Sequence, residues 1–366
     1  MDNLTHTLFA ATLARTALRG GGRGTTTALI LASNAPDIDI VATAWGALKY
    51  LEWHRGPSHG PLGIVGLGLF VAGLVWSGRQ VFDRRRASDH PPYRQLAAVS
   101  LVGVLFHVLM DLPTAYGTRL FSPFDWHWYA IDVMPIVDVY LLAALAAGLL
   151  FVGHSAAARS RNATLVLALM LANYGVRGAA HQRALNLAPQ VFGSGLPPRC
   201  EWPVGSQIVN RWPRPLPSPP HVAPPPCLVE VAALPTFATP FDWRLIAQFS
   251  DGYAISDVNV LAGRDRLSAP RWDASSRHAV RFPNQGTPAV SVAAGTDVGR
   301  VFLGFSRFPA VRVLVDGEGI TTVRWNDMRF TRGEMGADLP NRREEFFTAT
   351  VRLDRDGRIV DQRLGR

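Results

Sequence analysis

The chain has 366 residues, of which 48% are hydrophobic and 18% charged, and it carries a formal net charge of +9. This length accommodates two domains. The basic residues lie in short clusters beside apolar segments, a pattern typical of membrane topology signals and not of a groove for phosphates, so we expect no nucleic-acid partner.

The first half of the chain predicts a bundle of transmembrane helices. Arginines cluster in alternate loops, at 15–23, 79–94 and 159–161, which predicts that these loops are cytoplasmic and that the C-terminus lies outside. Several of the apolar segments are shorter than the roughly 20 residues that cross a hydrocarbon core, so tilt or flanking residues must complete them. The six segments are 4–18, 26–47, 62–76, 96–112, 135–152 and 163–176. The loop 113–133 also predicts an interfacial aromatic belt of Tyr116, Trp126, Trp128 and Tyr129.

Pro36 interrupts the second segment in "NAPDIDIV" and removes a backbone donor, which predicts a kink. Asp37 and Asp39, two residues apart, cannot share one helical face, so they need an irregular turn or two different roles. A metal site is one interpretation of this stretch. The other is a capped restart of the helix, in which Asp37 bonds the freed amides.

The following loop contains "HRGPSH", with His54 and His59 on either side of a tight turn. Ser58 predicts a helix cap near His59. These histidines are either ligands or incidental residues of a solvated loop. His6, in "LTHTLF", is likewise either a ligand or a buried histidine at a helix start.

His107 and Asp111 lie four residues apart in "FHVLMDLP", so they share one face of a helix. A polar pair at membrane depth is costly and therefore indicates a functional site. The alternative is a His–Asp hydrogen bond that locks two helices together.

The predicted topology brings these residues to one membrane face, where imidazoles and carboxylates would suit zinc or another borderline divalent ion. Because there are more candidates than one tetrahedral site needs, either two ions share them or some residues support the ligands. We expect Asp39 or Asp132 to act as a base or as a supporting residue, and Arg55 to neutralise an anionic substrate. The predicted metal ligands are His6, Asp37, His54, His59, His107 and Asp111.

Five stretches together resemble the YdjM-type family of bacterial inner-membrane proteins, and the resemblance spans most of the first 180 residues. It implies a multi-pass protein of the bacterial inner (cytoplasmic) membrane. The family is distantly similar to the zinc-dependent phospholipase C and P1 nuclease group, which implies metal-dependent hydrolysis and a ligand set of His6, Asp37, His54 or His59, His107 and Asp111. The five stretches are "MDNLTHTLFAA", "APDIDIV", "HRGPSH", "FHVLMDLPTAYGTRLFSPF" and "IDVMPIVDVY".

The second half of the chain predicts a small antiparallel β domain, so the fold class is α+β: a helical bundle (1–185), a Pro-rich linker (186–228) and a β-rich domain (229–366). Three hairpins are predicted, and two of them place an Asp-Gly turn between β-rich runs. Cys200 and Cys227 bracket the Pro-rich stretch and would form a disulfide if this domain is periplasmic or extracellular. We expect the β domain to be a structural or docking module.

The leading function is a membrane-embedded metal-dependent hydrolase of a phosphoester, with a lipid-linked or amphipathic substrate at the outer face. The alternative is a non-enzymatic membrane scaffold or metal-handling protein whose β domain binds a partner. A transporter should distribute polar residues through the bilayer, whereas here they collect at one face.

Overall fold

A computed structural model describes residues 1–16, 24–82, 91–151, 155–193, 196–200, 208–213, 225–261, 279–331 and 347–365. It combines helices with antiparallel sheets, which confirms the predicted α+β class. The chain forms two compact units. The first, the helical unit, comprises 1–42, 53–179 and 237–240, and the second, the β unit, comprises 43–52, 180–236 and 241–366.

Helices dominate the first half of the chain. Three of them, α4, α5 and α7, are long and apolar enough to cross a membrane, and α6 is a shorter apolar helix. The helix α7 crosses the division between the units, which falls after Ala179. The helices are α1 Asn3–Leu13, α2 Thr25–Ala32, a 3-10 helix Ala35–Trp45, α3 Ala47–Trp53, α4 Pro61–Phe82, α5 Tyr93–Asp111, α6 Val139–Leu150 and α7 Ala156–Val191.

Among the described residues, three of the predicted segments correspond to helices long enough to cross a membrane, and the segment 135–152 contains the shorter apolar α6. The predicted segment 4–18 forms only the 11-residue α1. The predicted segment 26–47 divides into the 8-residue α2 and the 3-10 helix. Pro36 lacks a backbone N–H and its ring crowds the preceding turn, so α2 cannot continue through it.

Two arginines near helix ends, Arg15 and Arg79, contact the ends of neighbouring helices. Arg15 Nη1 donates to the carbonyls of Gly148 and Leu149, at 3.3 and 3.2 Å, and so places the end of α1 beside the end of α6. Arg79, near the end of α4, abuts Gly24 at the start of α2, where an added Cβ would lie 2.5 Å from its Nε. The positive charge beside the terminal carbonyls of α6 is favourable.

The predicted aromatic belt is corrected for two of its members. Trp128 and Tyr116 are buried, with 0% and 7% of their surface exposed. Arg119, which is also buried, lies over the rings of Trp126 and Trp128, with its Cζ 4.9 and 4.7 Å from their centroids. Trp128 therefore packs inside the protein against a buried arginine, and it does not lie at the membrane–water interface.

The β unit contains two four-stranded antiparallel sheets, ordered β3-β4-β5-β6 and β10-β9-β8-β7. Two short helices, α8 Pro288–Ala294 and α9 Asp297–Phe305, pack on the second sheet. The strands are β1 Trp128–Ala130 (in the helical unit), β2 Asn210–Trp212, β3 Leu228–Pro235, β4 Asp242–Phe249, β5 Gly252–Asn259, β6 Val280–Pro283, β7 Pro309–Val315, β8 Thr321–Asp327, β9 Thr348–Leu353 and β10 Ile359–Leu364.

All three predicted hairpins are confirmed, as β4–β5, β7–β8 and β9–β10. In the second, Asp316 Oδ1 accepts from the backbone N–H groups of Glu318 and Ile320 at 3.0 and 2.9 Å. Gly319 adopts a φ of 82°, a left-handed conformation that glycine accepts without a Cβ clash. The side chain of Asp316 therefore stabilises the turn that the Asp-Gly sequence predicted.

The predicted disulfide is confirmed, since Cys200 and Cys227 are joined. The predicted Pro-rich linker 186–228 lies partly outside the described residues, at 194–195, 201–207 and 214–224. Within its described part, α7 continues to Val191 and β2 forms.

Two buried ion pairs lie within the β unit. Arg329 Nη2 is 2.8 Å from Asp327 Oδ2, and Arg307 Nε is 3.3 Å from Glu230 Oε1. Both guanidinium groups lie near the ring of Trp212, with their Cζ atoms 5.1 and 5.5 Å from its centroid. Each buried charge thus has an opposite charge and an aromatic neighbour.

Candidate metal centre

Close packing of α2 on α5 positions the first candidate ligand, His107. A Cβ at Gly103, one turn before His107, would lie only 2.8 Å from the Cβ of Ala32, so glycine is needed for this approach. The end of α2 then brings the Ser33 carbonyl 2.7 Å from His107 Nδ1. A carbonyl can only accept, so His107 carries its proton on Nδ1 and leaves a lone pair on Nε2.

A compact turn before α4 positions His59. Its backbone N–H donates to the Gly56 carbonyl at 2.9 Å, and a Cβ at Gly60 would lie 1.7 Å from the Ser122 carbonyl oxygen. The predicted helix cap at Ser58 is wrong. Because α4 begins at Pro61, the Ser58 hydroxyl instead lies 3.0 Å from His59 Nδ1.

The ring nitrogens of His59 and His107 face one another, with their Nε2 atoms 3.2 Å apart. Asp111 Oδ2 lies 3.5 Å from His107 Nε2 and 3.6 Å from His59 Nε2. Asp37 Oδ1 lies 3.6 and 3.8 Å from the same two nitrogens. Donor atoms around a tetrahedral zinc ion, with bonds of about 2.0–2.1 Å, are separated by about 3.3 Å, so these spacings fit one small cation.

Among the residues that the structure describes, two groups could hold an ion, His6 with His107 and Asp111, and Asp37 with His59 and His107. His6 joins the cluster through Nε2, 3.4 Å from Asp111 Oδ1, and its ring stacks on that of His107 at 3.9 Å. Because Ser33 engages His107 Nδ1, only Nε2 remains for a metal. One imidazole nitrogen has one lone pair, so His107 can bind an ion in only one of the two groups at a time.

Asp39 and His54 lie beside this cluster and contact each other. Asp39 Oδ2 accepts the backbone N–H of Arg55 at 2.7 Å and lies 3.2 Å from His54 Nδ1. Both carboxylates lie near His59, Asp37 Oδ1 at 3.8 Å from Nε2 and Asp39 Oδ2 at 3.9 Å from Nδ1, and the irregular turn that was one of the two predicted alternatives is present as the 3-10 helix. His54 belongs to neither ligand group.

Arg55 is buried and has a left-handed φ of 50°. Its Nη1 donates to the Gly117 carbonyl at 2.9 Å, and its Nη2 lies 3.3 Å from Asp111 Oδ2. The guanidinium that was predicted to meet a substrate anion therefore meets Asp111. Asp132 is also buried and left-handed, with a φ of 63°, and belongs to neither ligand group.

Burial is the main cause of the pKa shifts of three groups in and beside the cluster that lie outside the spans. It lowers the pKa of His59 well below its ordinary value, and the neighbouring His107 and Arg55 lower it further. Burial also lowers the pKa of His54, against the opposing effect of Asp39. Both rings are therefore neutral at pH 7, the form that binds metal. Burial raises the pKa of Asp37 to about 6, against the opposing effect of Arg55, and a bound cation would favour its ionised form.

Sequence reasoning missed three participants in the cluster. The Ser33 carbonyl and Gly103 act through the backbone, so their side chains carry no signal of the role. The amino group of Met1 contacts Asp111 Oδ1, and it also becomes visible only in the folded chain. Pro36 did predict that the helix breaks near this position, and this was the one sequence feature that could have indicated free backbone carbonyls around Ser33.

The helical unit also matches known proteins. The family model of the YdjM inner membrane protein matches residues 1–184. An uncharacterized protein of Bacillus subtilis, YfhP, is 27% identical over 123 residues, which cover 32% of this chain and 35% of that protein. The match thus spans about a third of the relative's length. No solved structure matches the chain significantly. The family match extends over every candidate ligand, and the chain belongs to the YdjM inner membrane protein family.

Proposed function

We propose that this protein is a membrane-embedded, metal-dependent hydrolase with one divalent ion, zinc or a similar borderline metal, as its cofactor. The observation that carries the proposal is the approach of Asp37 Oδ1 and Asp111 Oδ2 to within 3.5–3.8 Å of the Nε2 atoms of His59 and His107, which are themselves 3.2 Å apart. Mixed nitrogen and oxygen donors suit zinc. The proposed ligands are drawn from His6, Asp37, His59, His107 and Asp111.

A bound ion of this kind polarises a phosphoryl or acyl oxygen and lowers the pKa of its water. The proposed reaction adds water across an ester: the water oxygen joins phosphorus or carbon, and the departing alcohol takes a proton. Asp39 would orient the loop through the Arg55 amide and, with His54, exchange protons with the site. Arg55 would hold Asp111 in position, since its guanidinium already contacts that carboxylate at 3.3 Å.

One observation favours a second candidate, a non-enzymatic membrane scaffold. Arg55 and the amino group of Met1 both lie against Asp111. His59 Nε2–H donating to His107 Nε2 would satisfy the facing nitrogens without metal. In that case the cluster is a polar hub that fastens α1, α2, α4 and α5, and the β unit supplies any partner contact.

Metal content separates the two candidates. The full chain is purified in detergent without chelators, and elemental analysis is combined with gel filtration to confirm folding. We expect a stoichiometric transition metal in the wild type and its loss in His59→Ala, His107→Ala and Asp111→Asn. His127→Ala is the matched control, because His127 is 35% exposed at its side chain and belongs to neither ligand group. A metal-free wild type that binds no added zinc would support the scaffold.

We also propose that the metal centre and the C-terminus face the periplasm. Arg79 lies near the end of α4 whereas His59 precedes its start, and arginine-rich loops favour the cytoplasm. Within the helical unit, Arg177 Nε lies 2.5 Å from Asp138 Oδ2, at the start of α6, so α7 leaves this unit at the metal end. The disulfide of Cys200 and Cys227 fits an oxidising compartment.

Fusions of alkaline phosphatase, which is active only after export, test this orientation. We expect activity from a fusion at the C-terminus and none from a fusion after Arg85. The reverse pattern would place the metal centre in the cytoplasm. Non-reducing mass spectrometry of membrane extracts should also find Cys200 and Cys227 linked, and two freely alkylated thiols would contradict the orientation.

A further inference from the structure

The 3-10 helix that supplies Asp37 and Asp39 to the metal centre also presents an apolar face to the outside. Ile38, Ile40 and Val41 are 53%, 55% and 53% exposed. Large aliphatic side chains at this exposure gain free energy when they leave water. We call these three residues the aliphatic face. It belongs to the same short segment as a ligand, so whatever covers it lies next to the ion site.

A second segment next to the metal centre is also apolar and exposed. Phe121, Phe124 and Trp126 are 47%, 75% and 41% exposed. This segment is fastened directly to the centre, because the Arg119 N–H donates to the Arg55 carbonyl at 3.1 Å. Two apolar segments therefore border the metal centre, and both are held by residues that contact it.

The position of the metal centre along the spans indicates what covers these segments. The helix α4 begins at Pro61, two residues after His59, and α5 ends at Asp111. Ligands at the ends of two membrane-crossing helices lie at the edge of the hydrocarbon core. The aliphatic face thus continues the lipid-covered surface of the spans, and exposed tryptophan and phenylalanine are enriched at this depth.

We infer that the aliphatic face lies in the bilayer and admits the substrate sideways from it, so that the substrate is a phospholipid. Its acyl chains would contact Ile38, Ile40 and Val41, and its phosphate would reach the ion that Asp37 and His59 are proposed to hold. This inference rests on the proposed hydrolase function for its chemistry, whereas the contact between the face and lipid stands on exposure and position alone.

A spin label tests the lipid contact independently of activity. Both native cysteines are in the disulfide, so Ile40→Cys creates the only free thiol of the oxidised chain. The labelled full chain is placed in nanodiscs of phosphatidylethanolamine and phosphatidylglycerol, and relaxation by oxygen and by a water-soluble nickel chelate is compared. Leu314→Cys, at a position 65% exposed on β7, is the control.

We expect the label at position 40 to favour oxygen and the label at position 314 to favour the nickel chelate. Equal nickel accessibility at the two positions would overturn the inference, because the face would then lie in water. A label at position 40 that is immobile and shielded from both reagents would also overturn it, since a protein partner or a second copy would then cover the face.

Substrate discrimination tests the lipid chemistry. The zinc-loaded full chain is assayed with phospholipid in nanodiscs and with soluble bis(4-nitrophenyl) phosphate. The triple variant Ile38→Ser, Ile40→Ser, Val41→Ser should lose about tenfold in lipid hydrolysis, as expected for weakened apolar contacts, and keep its soluble activity and zinc content. Equal losses on both substrates, or a wild type active only on the soluble ester, would overturn the inference. A wild type that binds zinc but hydrolyses neither substrate would refute the hydrolase proposal and the lipid substrate together, while the spin label would still decide the lipid contact.

Discussion

Both units bury charged side chains, but they compensate them differently. In the β unit Arg329 and Asp327 form an ion pair, and the guanidinium also donates to the Phe305 carbonyl at 3.2 Å. In the helical unit, the Nε2 atoms of His59 and His107 lie 3.2 Å apart with the carboxylates of Asp37 and Asp111 beside them. The first arrangement is complete within the protein, whereas the second is the proposed metal site, whose imidazoles and carboxylates would be stabilised by an added cation.

This difference predicts different responses to mutation. Removing one member of a complete pair leaves a buried charge without its partner, and the cost falls on folding under every condition. Removing one ligand of the proposed metal site should chiefly reduce the increase in the free energy of unfolding that added metal provides. The following four experiments test this distinction.

The largest effect is expected for Asp327→Ala in the β unit. Arg329 would remain buried without its carboxylate, and the free energy of unfolding should fall by about 3–5 kcal/mol. Pulse proteolysis of the detergent-purified full chain in denaturant measures the change. A loss no larger than that of an exposed pair would mean that the Arg329–Asp327 pair does not stabilise the unit.

The next effect is the stabilisation of the helical unit by metal. Zinc at about 100 times its dissociation constant should raise the free energy of unfolding of the wild type by about 2.7 kcal/mol. His59→Ala should lose most of this increment, whereas His127→Ala should keep it. Because each variant is compared with itself with and without zinc, a cavity left by the substitution cancels. An unchanged increment in His59→Ala would exclude His59 as a ligand.

A smaller effect on stability is expected for Gly103→Val. The added side chain would meet Ala32 and push α2 away, at a cost of about 1–3 kcal/mol. The Ser33 carbonyl would also leave His107 Nδ1, which should weaken zinc affinity by about 10- to 100-fold. Gly73→Val is the control, since an added Cβ at Gly73 meets no atom within 4 Å. Equal zinc affinity in both variants would contradict the role of the Ser33 carbonyl.

The smallest effect is expected for the exposed ion pair of Arg300 with Asp297. Their side chains are 67% and 64% exposed, and water screens their attraction. Arg300→Ala should change the free energy of unfolding by about 0–1 kcal/mol, measured as for Asp327→Ala. A loss comparable with that of Asp327→Ala would show that burial does not control the strength of ion pairs in this unit.

Local patterns in the sequence were sufficient for the three hairpins of the β unit, but they did not indicate the helices α8 and α9. The turn residues Asp316 and Gly319 act on atoms only a few positions away, so their chemistry identifies the hairpin without knowledge of the rest of the chain. The same holds for His107 and Asp111, because a helical spacing of four places them together wherever the helix packs.

The tertiary structure alone decided how the candidate ligands are divided. Asp37 and Asp39 look equivalent in sequence, as do His54 and His59. In the structure, Asp37 and His59 are the members of these pairs that contact His107 in a possible ligand group. That outcome depends on the backbone approach at Gly103, some 60 residues from Asp37 and Asp39. Side-chain spacing determines which residues share an element, but only the packing between elements determines which of their atoms meet.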